Sequence, residues 1–159
     1  MIFSGLDKYP YYKALMLHII RDLNDQLCSL CKDDPVRPEI PVTERVSDNG
    51  EIYVLKSSEG LPLAVTCVKF LENIPNNVTD LADITINTTT AVFYSIWSYA
   101  AGSGRDLIVA AQDSIRSQRP EITTFVTLSP KTEMARRFHL KNGAEVYREN
   151  LDTVNYLYK

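Results

Sequence analysis

The sequence predicts an α/β fold of the α+β kind: one mixed, mostly antiparallel twisted sheet with helices on both faces. Three observations point there. Two β-rich runs, 51–56 and 62–71, flank the turn Ser57-Ser58-Glu59-Gly60 and read as a hairpin. A third run, 83–97, is dense in Thr, Ile, Val, Phe, Tyr and Trp and leads into a small-residue loop and a helix. From residue 122 the order is strand, helix, then two more strands, which a single sheet accommodates.

Taken in order, the first predicted element is an amphipathic helix over 10–31. Leu15, Met16, Ile19, Ile20, Leu23, Leu27 and Leu30 recur at helical spacing, and Pro10 suits a first turn. Asp33-Asp34-Pro35 ends it, and the proline-bearing stretch 33–50 reads as loop. The hairpin follows, and then a polar loop over 73–80. Residues 83–97 form one long or broken strand. A helix over 102–117 places Leu107, Ile108, Ala111 and Ile115 on one face. Residues 122–128 are a strand, 131–142 a helix, and 144–149 with 153–158 the last strand pair. No repeat, linker or low-complexity segment divides the chain, so residues 1–159 are expected to form a single domain.

At 159 residues a real core can be buried, and 45% hydrophobic with 23% charged residues is ordinary globular composition. The net charge is −3 and no basic block is present, which argues against a nucleic-acid partner. No apolar run reaches membrane-spanning length, and the N-terminus lacks a signal-peptide pattern, so a cytoplasmic location without membrane association is expected. Three cysteines, Cys28, Cys31 and Cys67, fit reduced thiols rather than a disulfide framework. Cys28 and Cys31 match C-x-x-C. A zinc site needs two further ligands, with only Cys67, His18 and His139 on offer, and no metal is expected.

The loop that follows the third run reads Ser98-Tyr99-Ala100-Ala101-Gly102-Ser103-Gly104-Arg105. Glycines let the backbone approach a ligand closely. The first amides of a helix lack internal partners and, with the dipole, favour a phosphate. Gly102, Ser103, Gly104 and Arg105 are the natural donors. The loop is neither a Walker sequence, lacking Gly-Lys-Ser/Thr, nor a dinucleotide fingerprint, lacking the third glycine. The structural alternative is a simple turn cap.

Downstream, Thr132-x-x-Ala135-x-x-x-His139-x-Lys141-x-Gly143 follows a strand and Ser129-Pro130. This resembles the fourth-helix motif of the GNAT acetyltransferase superfamily, Asn-Pro-x-Asn-x-x-Ala-x-x-x-Tyr-x-Lys-x-Gly-Phe, with Thr132 for Asn and His139 for the tyrosine. The loop at 99–104 is similar to that superfamily's pyrophosphate loop, with Tyr99 replacing its basic or amide residue. Four blocks narrow the resemblance: Ala-Val-Phe-Tyr-Ser-Ile (91–96), Thr-Leu-Ser-Pro (127–130), Arg-Phe-His-Leu-Lys-Asn-Gly-Ala (137–144) and Val-Asn-Tyr-Leu-Tyr (154–158). They look like the catalytic domain of malonyl-CoA decarboxylases, which itself has the GNAT fold. Those enzymes are longer, with a helical N-terminal domain and an insertion between the second and third blocks. Gly102 stands where their glutamate is expected.

The resemblance implies a coenzyme A thioester, acetyl-CoA or malonyl-CoA, as substrate, with no metal. It implies Ser129 and His139 as the catalytic pair. It implies Ser98, Tyr99, Gly102, Ser103, Gly104, Arg105 and Thr132 as coenzyme A-binding residues. The thioester is expected between the strands near Trp97 and Leu128. His139, with an unperturbed pKa near neutrality, is expected as general acid. The roughly eight residues of helix between them rise about 12 Å, so Ser129 and His139 are expected to bracket the substrate rather than bond each other. Two other readings stay open: acetyl transfer to an unknown amine or carrier-bound acceptor, and an acyl-CoA-binding domain without catalysis. A homodimer is also left open. Among structural alternatives, Ser129 reads as a helix N-cap, Tyr94 and Trp97 as core, Arg136-Arg137 as a solvated face, and Tyr147, Tyr156 and Tyr158 as packing residues.

Overall fold

The computed structural model describes residues 15–159. Its sheet has the order β1-β2-β3-β4-β5-β8, with β6 and β7 each also pairing β8. The strands are β1 (Met16–Ile20), β2 (Gly50–Lys56), β3 (Pro62–Leu71), β4 (Thr90–Ser98), β5 (Thr124–Thr127), β6 (Ser129–Pro130), β7 (Glu145–Glu149) and β8 (Thr153–Tyr158). The helices are α1 (Val42–Arg45), α2 (Ser103–Gln118) and α3 (Glu133–Lys141), with 3₁₀ turns at Gln26–Asp33 and Val78–Ala82. Every strand pair is antiparallel except β4 with β5, which α2 joins as a crossover.

The predicted helix over 10–31 is not formed within the described residues, and its Pro10 lies outside them. Met16–Ile20 is instead a strand, in register with β2 from Met16↔Lys56 to Ile20↔Ile52. An apolar run filled at nearly every position satisfies both periods, and here the free edge of β2 decides. Leu15, Leu17 and Ile19 face one layer of the core and Ile20 the other, a period of two. Further on, short polar side chains bond the local backbone and stop any helix from propagating. Asp22 Oδ1 accepts from the Asn24 amide at 2.8 Å, and Asp25 caps the 3₁₀ turn that holds Cys28 and Cys31.

The predicted strand 83–97 starts late, at Thr90. Its ladder opens with Thr90 opposite Leu71, the last residue of β3, so residues 83–89 have no strand to join. Ile84 and Ile86 there are almost fully exposed. The strand predicted over 122–128 is split at Leu128 into β5 and β6.

Side chains alternate onto two layers. On one, Leu107, Ile108, Ala111 and Ile115 of α2 cover Tyr53, Phe70 and Phe93. On the other, Val92, Tyr94, Trp97, Val126 and Leu128 meet the 3₁₀ turn at Leu27 and Leu30. Tyr94 and Trp97 are core, as expected, whereas Tyr147 is half exposed.

The sheet opens at one place. The parallel ladder ends at Phe93↔Thr127, and the Leu128 amide makes a last bond to the Phe93 carbonyl at 3.0 Å. Beyond it β4 continues along β3 to Ser98, while Ser129 and Pro130 turn to pair with Val154 and Thr153 of β8. A bulge helps: Cys67 faces Ser95 and Val68 faces Phe93, so Tyr94 is an extra residue that bends β4.

Candidate active site

A cavity of about 360 Å³ occupies the opening between the diverging strands. Its lining is drawn from both layers of the core. Phe93 and Ile96, with Phe138 and His139 of α3, wall it on the α2/α3 side; Tyr94, Trp97 and Leu128, with Pro35 and Val36, wall it on the other. No Asp, Glu, Lys or Arg is among its lining residues.

Five of the nine predicted site residues line this cavity: Ser98, Gly104, Ser129, Thr132 and His139. Ser129 and His139 do not bond each other. Ser129 Oγ donates to Thr127 Oγ1 at 2.8 Å, leaving its lone pairs as acceptors. Ser129 is not a helix cap, because it pairs with β8. The cap of α3 is Thr132, whose Oγ1 accepts from the Ala135 amide at 3.2 Å.

His139 is 3% exposed. Its Nδ1 lies 2.7 Å from the Tyr158 hydroxyl, and its ring stacks on Tyr156 with centroids 5.1 Å apart. Burial pushes the imidazole down to about 4 and the Tyr158 phenol up. The near-neutral pKa expected from sequence therefore does not describe this histidine: it is uncharged at neutral pH. Tyr158 does more than pack; alternation along β8 puts Val154, Tyr156 and Tyr158 on one face, the signal in the sequence that points to it.

The other four predicted residues, Tyr99, Gly102, Ser103 and Arg105, do not line the cavity. Gly102 is the N-cap of α2 at φ 80, and no side chain caps that end. Its left-handed backbone is where glycine is needed. The Ser103 amide donates to the Ala100 carbonyl at 3.2 Å, and the first turn of the helix carries exposed Arg105 beside partly buried Asp106. Ser103 is buried and its hydroxyl is spent on the Leu63 and Ala100 carbonyls. Tyr99 points to the other layer, donating to Asp33 Oδ2 at 2.8 Å and accepting from Trp97 Nε1 at 3.0 Å. Arg137 pairs with Glu133 on an exposed face, as the solvated-face reading expects.

Gly104 lets α2 and α3 approach. A Cβ built there would lie 2.9 Å from Phe138 Cε1. Gly104→Val is expected to cost about 1–3 kcal/mol by overpacking, measured by urea unfolding. Phe138→Leu in the same chain should recover part of that cost. An unchanged midpoint in Gly104→Val would show that the contact is slack.

No protein-family model matches the sequence, and no curated protein sequence is similar to it. Solved structures share its fold. Malonyl-CoA decarboxylase from Agrobacterium vitis is similar with a TM-score of 0.74 at 20% identity, over 91% of this chain and 60% of that one. The Rhodopseudomonas palustris malonyl-CoA decarboxylase gives 0.70 at 20% identity, over 91% and 59%. An acetyltransferase from Bacillus subtilis, solved in complex with coenzyme A, gives 0.62 at 14% identity, over 92% of this chain and 99% of that one. The chain thus spans about 60% of the length of the decarboxylases it matches. The architecture is the GNAT fold, as the sequence blocks implied. No helix among the described residues is long and apolar enough to cross a membrane.

Proposed function

We propose that the chain is one acyl-CoA-binding domain that decarboxylates a malonyl thioester. The observation that carries this reading is the cavity between the diverging strands, which is lined by Ser129 and His139 and has no carboxylate in its walls. The diphosphate would rest on the uncapped start of α2 at Gly102 to Arg105. The pantetheine arm would pass Gly104 and Phe138 to place the thioester between β4 and β6.

The reaction breaks the bond between the α-carbon and the carboxylate. Carbon dioxide leaves, and the electron pair passes into the thioester as an enolate. Backbone amides of the bent β4 are suited to hold the developing oxyanion. The α-carbon then takes a proton, giving the acetyl thioester. With the Tyr158 hydroxyl donating to Nδ1, His139 Nε2 carries a hydrogen toward the cavity. A thioester enolate is basic enough to take a proton from a neutral imidazole, which recovers it from solvent. Ser129, an acceptor at the opposite wall, would orient the substrate. Amine acetylation is commonly assisted by a carboxylate base at the acceptor, and no Asp or Glu lines the cavity.

Incubation with malonyl-CoA is expected to yield acetyl-CoA, followed by chromatography of the esters. His139→Gln should lower kcat by about 10²–10⁴. Thiol release from acetyl-CoA only when an amine is added would favour the transferase reading. Binding without turnover, indifferent to His139→Gln, would leave an acyl-CoA-binding domain.

A further inference from the structure

Neither cysteine of the C-x-x-C motif takes part in the proposed decarboxylation, and the structure gives Cys31 a different neighbour from the one its spacing suggests. Cys28 Sγ donates to the Asp22 carbonyl at 3.6 Å, and burial together with Cys31, Asp25 and Asp22 pushes its thiol up. Cys31 instead meets Cys67. The two thiols hydrogen-bond each other. Cys31 is half-buried in the 3₁₀ turn, and Cys67 is fully buried in β3.

Arg45 holds the same corner. Its Nη1 donates to Cys67 Sγ at 3.4 Å and to Asp34 Oδ2 at 2.6 Å. The Asp34 amide in turn donates to the Cys31 carbonyl at 3.2 Å. A closed circuit of contacts through Cys31, Asp34, Arg45 and Cys67 therefore brings the two sulfurs together, as a disulfide requires. The hydrogen bond from Cys67 and the charge of Arg45 hold Cys31 below the usual thiol range, against burial and the Asp34 carboxylate. Burial keeps Cys67 protonated. A reachable, acidic thiol beside a buried, protonated one is the arrangement of an attacking and a resolving cysteine.

We propose that Cys31 and Cys67 are an oxidation site that closes an intramolecular disulfide in response to a peroxide. The Cys31 thiolate attacks one peroxide oxygen and the O–O bond breaks. The departing hydroxide takes up the proton that Cys31 released, and Cys31 is left as a sulfenic acid. The Cys67 sulfur then attacks the Cys31 sulfur, the S–O bond breaks, and the Cys67 proton leaves with the hydroxyl group as a second water. Two thiols and one peroxide give one disulfide and two waters; each sulfur loses one electron and the peroxide gains two. Arg45 stabilises the charge on Cys67 as its proton leaves. Pro35 and Val36, just beyond the 3₁₀ turn, line the cavity, so the bond ties that wall to β3.

The test is peptide mapping of the full chain after exposure to hydrogen peroxide in native buffer. Remaining thiols are blocked with iodoacetamide, and the tryptic digest is read by mass spectrometry without reductant. Trypsin leaves Cys28 and Cys31 on peptide 22–32 and Cys67 on peptide 57–69. The wild type is expected to give these two peptides joined, lighter than their sum by two hydrogens, with the remaining thiol blocked. The chain should run as a monomer on non-reducing electrophoresis. Cys28→Ser should keep the join and Cys31→Ser should lose it. The wild-type map by itself separates the two pairings: a bond closed within peptide 22–32 would overturn the inference. So would a join that survives in Cys31→Ser, a bridge between two chains, or a peroxide treatment that leaves peptides 22–32 and 57–69 unjoined.

Discussion

Arg45→Met is expected to destabilise the fold by about 3–5 kcal/mol, a large share of the stability of a domain this size. Arg45 is fully buried, although arginine is rarely so. Its Nη1 meets Asp34 Oδ2, its Nη2 the Arg37 carbonyl, and its Nε the Ile40 carbonyl at 2.9 Å. Burial by itself raises Asp34, but hydrogen bonds from Ser95, Arg45 and the backbone hold it below the usual carboxylate range. It is therefore ionised, and methionine would leave its charge sealed from water along with two unsatisfied carbonyls. Urea unfolding followed by circular dichroism measures the cost. A loss below about 1 kcal/mol would mean that water reaches this cluster. Adding Asp34→Leu to Arg45→Met should recover part of the loss, because the orphaned charge goes with it.

Nothing in Val-Thr-Glu-Arg (42–45) marks that arginine as interior. Its burial follows from the chain between β1 and β2 crossing over the sheet, which no local pattern encodes. The elements that were legible carry their own punctuation. Ser57 to Gly60 announces the turn between β2 and β3, α2 has a one-sided apolar face, and Asn142-Gly143 closes α3 with Gly143 at φ 98. β1 was misread because Leu15 to Ile20 suits either period and its partner lies more than thirty residues on. The break at Leu128 was hidden because Thr-Phe-Val-Thr-Leu-Ser reads as one strand. Only the competing partner, β8, draws Ser129 away from β4.

The site was legible in its residue types more than in its chemistry. Of the residues the resemblance implies for the site, Ser98, Gly104, Ser129, Thr132 and His139 line one cavity. The sequence blocks did not reveal that Tyr99 turns to Asp33, that Ser103 is occupied by backbone carbonyls, or that Phe138 needs Gly104. Each of those depends on which layer a side chain joins. The state of His139 was hidden for the same reason. Its ring is enclosed by Phe138 from its own helix and by Tyr156 and Tyr158 from β8, so its desolvation is a tertiary property.

That desolvation sets the second large effect, a pH dependence of stability that belongs to one residue. His139 has a folded pKa of about 4, while an unfolded histidine titrates near 6.5. Between these values the unfolded chain binds the extra proton and the folded one does not, so stability rises with pH across the window. The contribution is fully present above about pH 6.5 and is lost as pH falls to about 4. Its size is about 3 kcal/mol, from 1.36 kcal/mol per pKa unit. Carboxylates also titrate on that limb, so wild type and His139→Gln must be compared at pH 7 and pH 4. The wild type should lose about 3 kcal/mol more than the variant between the two. The chain has two histidines, so NMR can follow the ring directly, and an imidazole midpoint near 6.5 for His139 would refute the assignment. The same ionisation separates stability from catalysis. If the neutral ring is the proton donor, kcat/KM should show no His139 limb near pH 6.5, and the acid limb should coincide with the onset of unfolding. A limb near 6.5 with stability flat across it would mean that the imidazolium, raised by solvent entry, is the reacting form.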